Sequence, residues 1–284
     1  MMGEITGHGK VFINLAAAII LLLPAWACAD VPTYSVGLGF EFASGDYGTG
    51  VRTDSVYMPL TVTVRPAERL DFSLEVPYVY QSSSAVVAGQ FMGMQGQAMG
   101  AQAVMAAMGS GMRTSASAAT VGNSQSGLGD MKLRAGYVLY TEEKYVPAIR
   151  PNFYVKFPTA DKNKFLGTGE FDGGLAVELT KWFGKWFADG EIGYAFQGKS
   201  SVLAVKDYLY YYAGCGYQVT DRFRTMLLLK GSTPTVEGAS ALLELRLRAK
   251  YQITSHTGID GYLSKGLATD SPEYGMGLAV YHDF

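Results

Sequence analysis

Charged side chains are scarce in this sequence, and neither sign of charge is concentrated. Charged residues make up 17% of the 284 residues, and the formal net charge is −2. No run of consecutive basic residues exceeds two. Binding to a phosphate backbone requires a concentrated basic surface. We therefore expect no nucleic-acid partner.

Cysteine and histidine are also scarce, which limits the possible chemistry. Cys215 is the only cysteine after residue 29, and a lone cysteine forms neither an intramolecular disulfide nor a metal site. No Ser–His arrangement suited to nucleophilic catalysis is visible around His256 or His282. The glycine-rich stretch 167–169 precedes a predicted strand rather than a helix, so it is not a phosphate loop. We expect neither enzyme activity nor a cofactor.

Long apolar runs are missing everywhere except near the N-terminus. Residues 11–23 are mostly apolar, follow Lys10 and precede the small-residue site Ala27-Cys28-Ala29. This plan is typical of a secretory signal peptide, and the run is shorter than the ~20 residues of a spanning helix. The alternatives are a retained anchor and lipidation at Cys28, which Trp26 fits poorly. We expect a signal peptide at 1–29 and a mature domain at 30–284.

What the mature sequence does contain is a series of short segments in which apolar and polar residues alternate. The clearest runs from Ala241 to Ile253. Its odd-numbered positions carry Leu, Ala, Tyr and Ile, and its even-numbered positions from Glu244 to Gln252 carry only charged or amide side chains. A helix would scatter these charges around its circumference, whereas a strand sorts them onto one face.

Counting such segments predicts an all-β fold, an antiparallel transmembrane β-barrel of about twelve strands. An even number is typical of bacterial barrels, and only a closed barrel or a helix satisfies the backbone in lipid. The alternative is a secreted β-sandwich, which rarely needs a charged face on every strand. The predicted strands are 33–43, 55–65, 70–81, 130–140, 147–157, 171–182, 186–197, 206–219, 222–232, 240–253, 257–266 and 273–284.

The connections between these strands alternate between short and long. Outer-membrane barrels have short periplasmic turns and longer extracellular loops, so both ends of the barrel domain are predicted to be periplasmic. Two aromatic features agree. Residues Trp182, Phe183, Trp186 and Phe187 flank one short turn, where an interfacial aromatic girdle belongs. The chain ends on the aromatic Phe284, which resembles the signal read by the barrel-insertion machinery, an expected partner.

The inward faces of the predicted strands carry charges of both signs. They could line a selective pore, or they could pair across strands and fill the interior, since a twelve-stranded barrel lies between a filled barrel and an open channel. Arg246, Arg248 and Lys250 are the best candidates for a positive stripe that favours anionic groups. The candidate lining residues of this charged set are Lys132, Arg134, Glu244, Arg246, Arg248 and Lys250.

Three tyrosines share one face of the predicted strand 206–219. Tyr208, Tyr210 and Tyr212 point inward if the opposite face meets lipid. Tyrosine combines an apolar ring with a polar tip, which suits aromatic or amphipathic solutes. The alternative is that the three rings only fill space.

The longest predicted loop, 82–129, is rich in Met, Ala and Gly and has Arg113 as its only charge between Ser82 and Gln125. An apolar loop of this kind should not lie free in water. It could plug the mouth of the barrel, offer a soft surface to apolar solutes, or be disordered. No histidine or cysteine accompanies the thioethers, so we expect no metal site. The candidate loop or gate residues are Met92, Met94, Met99, Met105, Met108 and Met112.

Several short stretches resemble a known family. They are 126–130 (SGLGD), 156–161 (KFPTAD), 167–170 (GTGE), 65–69 (RPAER) and 76–78 (VPY). Together they span roughly residues 55–200 and resemble the outer-membrane transporters grouped as the meta-pathway phenol-degradation family. The resemblance implies a barrel associated with small aromatic or hydrophobic compounds, without any residue-level binding site.

The leading hypothesis is therefore a passive outer-membrane channel for small hydrophobic or aromatic compounds in a Gram-negative bacterium. Its expected partners are outer-membrane lipid and such a solute. The alternative is a structural or partner-docking barrel with a plugged lumen. A barrel-embedded hydrolase is a weaker third hypothesis, because no nucleophile and base are seen together.

Overall fold

The structure is a computed structural model that describes residues 33–47, 52–82, 87–88, 110–111, 124–164, 166–200, 204–236 and 238–284. The predicted signal peptide and most of the segment between 82 and 124 lie outside these residues. Apart from one short 3₁₀ turn at Lys162–Lys164, the described elements are β-strands. Within the described residues, no helix is long and apolar enough to cross a membrane.

Fifteen segments have strand conformation. They are β1 (Thr33–Gly45), β2 (Thr53–Ala67), β3 (Leu70–Gln81), β4 (Val87–Ala88), β5 (Ser110–Gly111), β6 (Gln125–Leu128), β7 (Met131–Tyr137), β8 (Ala148–Phe157), β9 (Asp172–Phe183), β10 (Trp186–Phe196), β11 (Tyr208–Thr220), β12 (Phe223–Ser232), β13 (Leu242–Gln252), β14 (Thr257–Gly266) and β15 (Tyr274–Asp283).

The main sheet is a closed antiparallel barrel. Each strand pairs with its neighbours in sequence, and β1 closes the ring by pairing with β15. Strands β6 and β7 both pair with β3, so they are two halves of one interrupted strand. The barrel therefore has the twelve strands that the sequence predicts. Strands β4 and β5 pair only with each other.

The interruption between β6 and β7 has a local cause. Pro77 lies inside β3, opposite Pro59 of β2, and a proline has no N–H to donate to the ladder. The facing chain therefore breaks at Gly129, whose N–H donates to the Pro77 carbonyl at 2.9 Å. A Cβ at Gly129 would lie 2.9 Å from Val79 and 3.0 Å from Pro77, so a larger residue would force these side chains to shift. This break makes the strand start at Gln125, five residues earlier than predicted, and shortens the predicted loop 82–129.

The strands sort their side chains as the alternation predicts, with apolar residues outside and polar residues inside. In β7, Leu133 is 40% exposed, whereas the flanking Lys132 and Arg134 are each 4% exposed. A surface made of leucine, valine and aromatic side chains all around a closed barrel is suited to lipid and not to water. Together with the closed ring, this surface places the barrel in an outer membrane.

The connections also alternate along the chain. Turns at 68–69, 184–185, 221–222 and 253–256 lie at one rim, and the opposite rim carries 158–171, 197–207 and 233–241. By loop length the first rim is periplasmic and the second extracellular. The periplasmic connection 138–147 is longer than the other periplasmic turns, because β7 already ends at Tyr137. Within this connection Tyr140 forms an isolated bridge with Ile149.

The predicted aromatic girdle is only half correct. Phe183 and Trp186 are 62% and 59% exposed on the lipid side. The prediction was wrong for Trp182 and Phe187, which face the interior and pack against each other with ring centroids 4.7 Å apart. Strand alternation explains the difference, because each of these residues is adjacent in sequence to one that faces lipid.

Candidate solute path in the barrel lumen

The lumen near the periplasmic rim contains a buried ion-pair cluster centred on Arg150. Its guanidinium lies 2.5 Å from Asp71 and 3.0 Å from Glu178, and all three side chains are at most 6% exposed. The guanidinium occupies the space beside Gly136, where a Cβ would lie 2.1 Å from Arg150 Nη2. Three strands thus place one cation beside two carboxylates.

Ion pairs recur along the rest of the lumen. Lys132 lies 3.4 Å from Glu75, and Arg246 and Lys230 lie 3.0 Å and 4.0 Å from Glu244. Arg248 forms an ion pair with Asp260. The sequence left open whether the inward charges line a pore or pair across strands. Most of them form ion pairs among the described residues, which favours the second alternative.

Arg134 differs from Arg150, Arg246 and Arg248, because it forms no ion pair with another described residue. It is 4% exposed, and its Nη1 atom has no hydrogen-bond partner among the described residues. Glu191 is equally buried, and one of its carboxylate oxygens accepts from Asn152 at 3.2 Å. Its other oxygen has no hydrogen-bond partner among the described residues. This part of the lumen therefore retains polar groups that a solute could use.

The inward tyrosines lie against the barrel wall rather than across the lumen. Tyr208 and Tyr210 form a buried cluster with Tyr154, and Tyr212 donates to Asp189 at 3.2 Å. Tyr210 pairs across the ladder with Gly193, where a Cβ would lie 2.3 Å from the ring. Glycines on the facing strands thus provide the room that lets these rings lie flat.

The extracellular mouth is covered by loops that fold inward. Leu166 packs against Ala43, Tyr57 and Val79 from three strands. Lys156 fixes the same loop, because its ammonium lies 2.9 Å from Asp130, 2.5 Å from Asp172 and 2.7 Å from Thr168 Oγ1. The 233–241 loop contributes Val236, which is 2% exposed. The loops thus narrow the lumen at this rim.

The periplasmic end of the lumen holds an open cavity of about 580 Å³, which we call the vestibule. Beyond it, among Phe187, Met226 and Arg248, lies a second space of only about 20 Å³. Roughly 10–15 Å³ is needed for a single water, so this inner space is close to filled. The vestibule is lined by β8, β9, β11, β12, β13 and the adjoining turns, with side chains that include Arg150, Thr180, Trp182, Gln218, Arg224 and Lys250.

The structure places the predicted lining residues inside the barrel but does not gather them at one point. Tyr208, Tyr210, Tyr212 and Glu244 lie in the extracellular half, and Lys250 lies at the vestibule. Their role as solute contacts stays a prediction. The predicted loop residues Met92, Met94, Met99, Met105, Met108 and Met112 lie outside the described residues.

Sequence reasoning missed several interior residues. Asp260 and Tyr262 are 0% and 7% exposed, and Tyr262 donates to Glu41 at 2.8 Å. Trp182 lines the vestibule but was assigned to the girdle. The alternation in β14 could have revealed the first two, since Ile259 and Leu263 alternate with them on the opposite face.

Comparisons with known proteins agree with this architecture. Residues 92–284 match the family described as "Putative MetA-pathway of phenol degradation". This match overlaps the stretch from which the resemblance was recognised and extends it to residue 284. No curated protein matches the chain in sequence.

Solved structures show the same fold at low sequence identity. An outer membrane channel from Pseudomonas putida F1 superposes with a TM-score of 0.62 and 16% identity, covering 92% of this chain and 98% of the other. The NanC porin gives a TM-score of 0.51 and 9% identity over 87% of this chain and 98% of its own. At these identities the likeness concerns the fold.

Proposed function

The chain belongs to this phenol-degradation family, and we propose that it is a passive outer-membrane channel for small hydrophobic or aromatic compounds. The observation that carries the proposal is the vestibule, a cavity of about 580 Å³ inside the lumen of a lipid-facing barrel. A dry protein cavity of roughly 150 Å³ holds benzene. The vestibule therefore has room for a substituted aromatic ring.

The chemistry of the lumen supports the same class of solute. Tyr154, Tyr208 and Tyr210 present ring faces in the extracellular half, and Trp182 presents one in the vestibule. Aromatic faces attract other rings, and the hydroxyl and indole N–H groups can bind polar substituents. We propose that solute moves passively down its gradient. Alternating-access transporters move one structural repeat against another, whereas the strands of this barrel are joined in a single closed sheet.

A second candidate function is a structural or partner-docking barrel whose lumen stays closed. The filled space between the vestibule and the covered extracellular mouth favours it. Arg150 and its two carboxylate partners lie where solute would pass. Moving them apart to open a path would leave buried charges without their ion-pair partners. In this alternative the vestibule is a dead-end pocket.

Uptake by porin-deficient Gram-negative cells tests the proposal. Cells that express the protein should take up radiolabelled benzyl alcohol several-fold faster than cells that carry an empty vector. Ala148→Trp places a large side chain in the vestibule wall and should remove most of this gain. Val146→Trp is the matched control, since Val146 is 41% exposed and lies outside the vestibule.

The outcomes separate the two functions once folding has been checked. Folded wild-type protein in the outer membrane with vector-level uptake would contradict the channel and favour the docking barrel. Equal uptake by the two tryptophan variants would show that the vestibule is not on the path.

A further inference from the structure

The vestibule contains an inward-facing guanidinium that is in no ion pair with a carboxylate of the described residues. Arg224 lies in β12 and lines the cavity, and among the described residues it forms no ion pair within 4.0 Å. The guanidinium carbon lies 5.9 Å from the ring centroid of Phe187. Of the other deep lumenal arginines, Arg150, Arg246 and Arg248 each face a carboxylate, whereas Arg134 forms no ion pair among the described residues and does not line the vestibule.

A second cation lies directly opposite Arg224 on the next strand. Arg224 and Lys250 are Cα partners in the β12–β13 ladder, and both side chains line the vestibule. Like charges in this position repel and destabilise a sheet. Lys250 Nζ lies 4.6 Å from the ring centroid of Tyr281, so an aromatic face also borders this pair. A cross-strand pair of cations in a cavity is suited to holding an anion between them.

Two of the three acidic residues that line the vestibule are already in ion pairs with other cations. Glu178 pairs with Arg150 at 3.0 Å, and Glu142 pairs with Lys181 at 2.6 Å. Asp221 lies in the exposed turn between β11 and β12. Neither of these two ion pairs involves Arg224, and Asp221 lies next to the turn residue Arg222, which also lines the cavity.

An aromatic wall lies beside these cations. Trp182 lines the vestibule, and its ring centroid is 4.7 Å from that of Phe187, over which Arg224 lies. Guanidinium groups bind carboxylates through two parallel N–H donors, and indole faces pack against flat rings. The wall and the cations thus present the two surfaces that an aromatic carboxylate needs.

We propose that the vestibule is a binding site for small aromatic monocarboxylates, with Arg224 and Lys250 holding the carboxylate and Trp182 packing against the ring. This inference names the solute class and rests on the proposed channel function. Neutral aromatics would use the same wall with lower affinity, since they offer no carboxylate to the Arg224 guanidinium.

The test is calorimetric titration of benzoate into the folded, full-length protein in detergent at low ionic strength, where charge interactions are least screened. Benzyl alcohol supplies the ring without the charge, and acetate supplies the charge without the ring. The variant is Arg224→Gln. Lys185→Gln is its matched control, because it removes one cation from an exposed turn at the same rim. Arg224→Lys keeps the charge but not the paired donors.

Benzoate should bind more tightly than either partial analogue. Arg224→Gln should weaken it by about tenfold to a hundredfold, as loss of a charge-assisted hydrogen bond implies. Arg224→Lys should lie between that variant and the wild type, and Lys185→Gln should match the wild type. Acetate binding as tightly as benzoate would overturn the aromatic part of the site. Equal benzoate affinity in folded wild type and Arg224→Gln would overturn the inference altogether.

Binding does not require transport, so the two proposals fail separately. Arg224-dependent benzoate binding without any solute uptake would contradict the channel function and support the binding site. Solute uptake without Arg224-dependent benzoate binding would support the channel function and contradict the binding site. If Arg224→Gln does not fold, the comparison of benzoate with its analogues and the result for Arg224→Lys decide the matter.

Discussion

Replacing Arg150 should reveal whether the lumen is dry and filled or open to water. The Arg150 side chain is 5% exposed and pairs with Asp71 at 2.5 Å and Glu178 at 3.0 Å. Arg150→Met keeps an apolar stem of similar length but leaves two buried carboxylates unpaired. Breaking a buried pair costs about 3–5 kcal/mol, whereas an exposed pair is worth about 1 kcal/mol or less.

The assay is urea unfolding of the reconstituted barrel followed by tryptophan fluorescence. Arg150→Met should lower the free energy of unfolding by about 3–5 kcal/mol. Adding Asp71→Asn and Glu178→Gln should recover most of this loss, because no unpaired charge then remains buried. Arg52→Met is the control at the extracellular rim, where the Arg52 side chain is 54% exposed. If Arg150→Met costs no more than Arg52→Met, water fills the lumen and the account of a packed interior is refuted.

Three further predictions concern the wall, the outer face and the mouth. Gly193→Ala should cost about 1–3 kcal/mol in the same unfolding assay because its Cβ would meet the Tyr210 ring at 2.3 Å, whereas Gly37→Ala, with 3.7 Å to its nearest atom, should cost far less. Cys215, exposed on the lipid face of β11, should react slowly with a charged maleimide in liposomes. A Cys215→Ser/Lys185→Cys variant should react rapidly, and equal rates would contradict the membrane placement. Lys156→Met should free the 158–171 loop and speed tryptic cleavage after Lys162 and Lys164, whereas Lys199→Met should not. Unchanged cleavage would mean that the ion pairs of Lys156 do not hold this loop.

Much of the fold could be predicted from the sequence because strand alternation has a fixed period of two. In β13, for example, the charges at 244, 246, 248 and 250 could only share one face, and the structure puts them inside. The family followed from short turn and loop stretches such as 156–161. The same alternation, applied to the 182–187 turn, would have placed Trp182 inside, but the expectation of an aromatic girdle overrode it.

The arrangement within the lumen could not be predicted in the same way. Whether Arg150 meets Asp71 or lines an open path depends on which strands lie side by side and in which register. Likewise, the rings of Tyr154 and Tyr210 lie flat because Gly174 and Gly193 face them on neighbouring strands. That Arg224 forms no ion pair with another described residue could not be predicted either, since it depends on which cations Glu178 and Glu142 already meet.

Single-channel conductance of the purified, folded protein in planar lipid bilayers tests the central claim most directly. The narrowed mouth and paired interior predict small, defined conductance steps, and Lys156→Met should enlarge them by loosening the extracellular loop. Bilayers that contain demonstrably folded barrel but show no steps, for the wild type and for Lys156→Met alike, would contradict the claim that this protein is a channel.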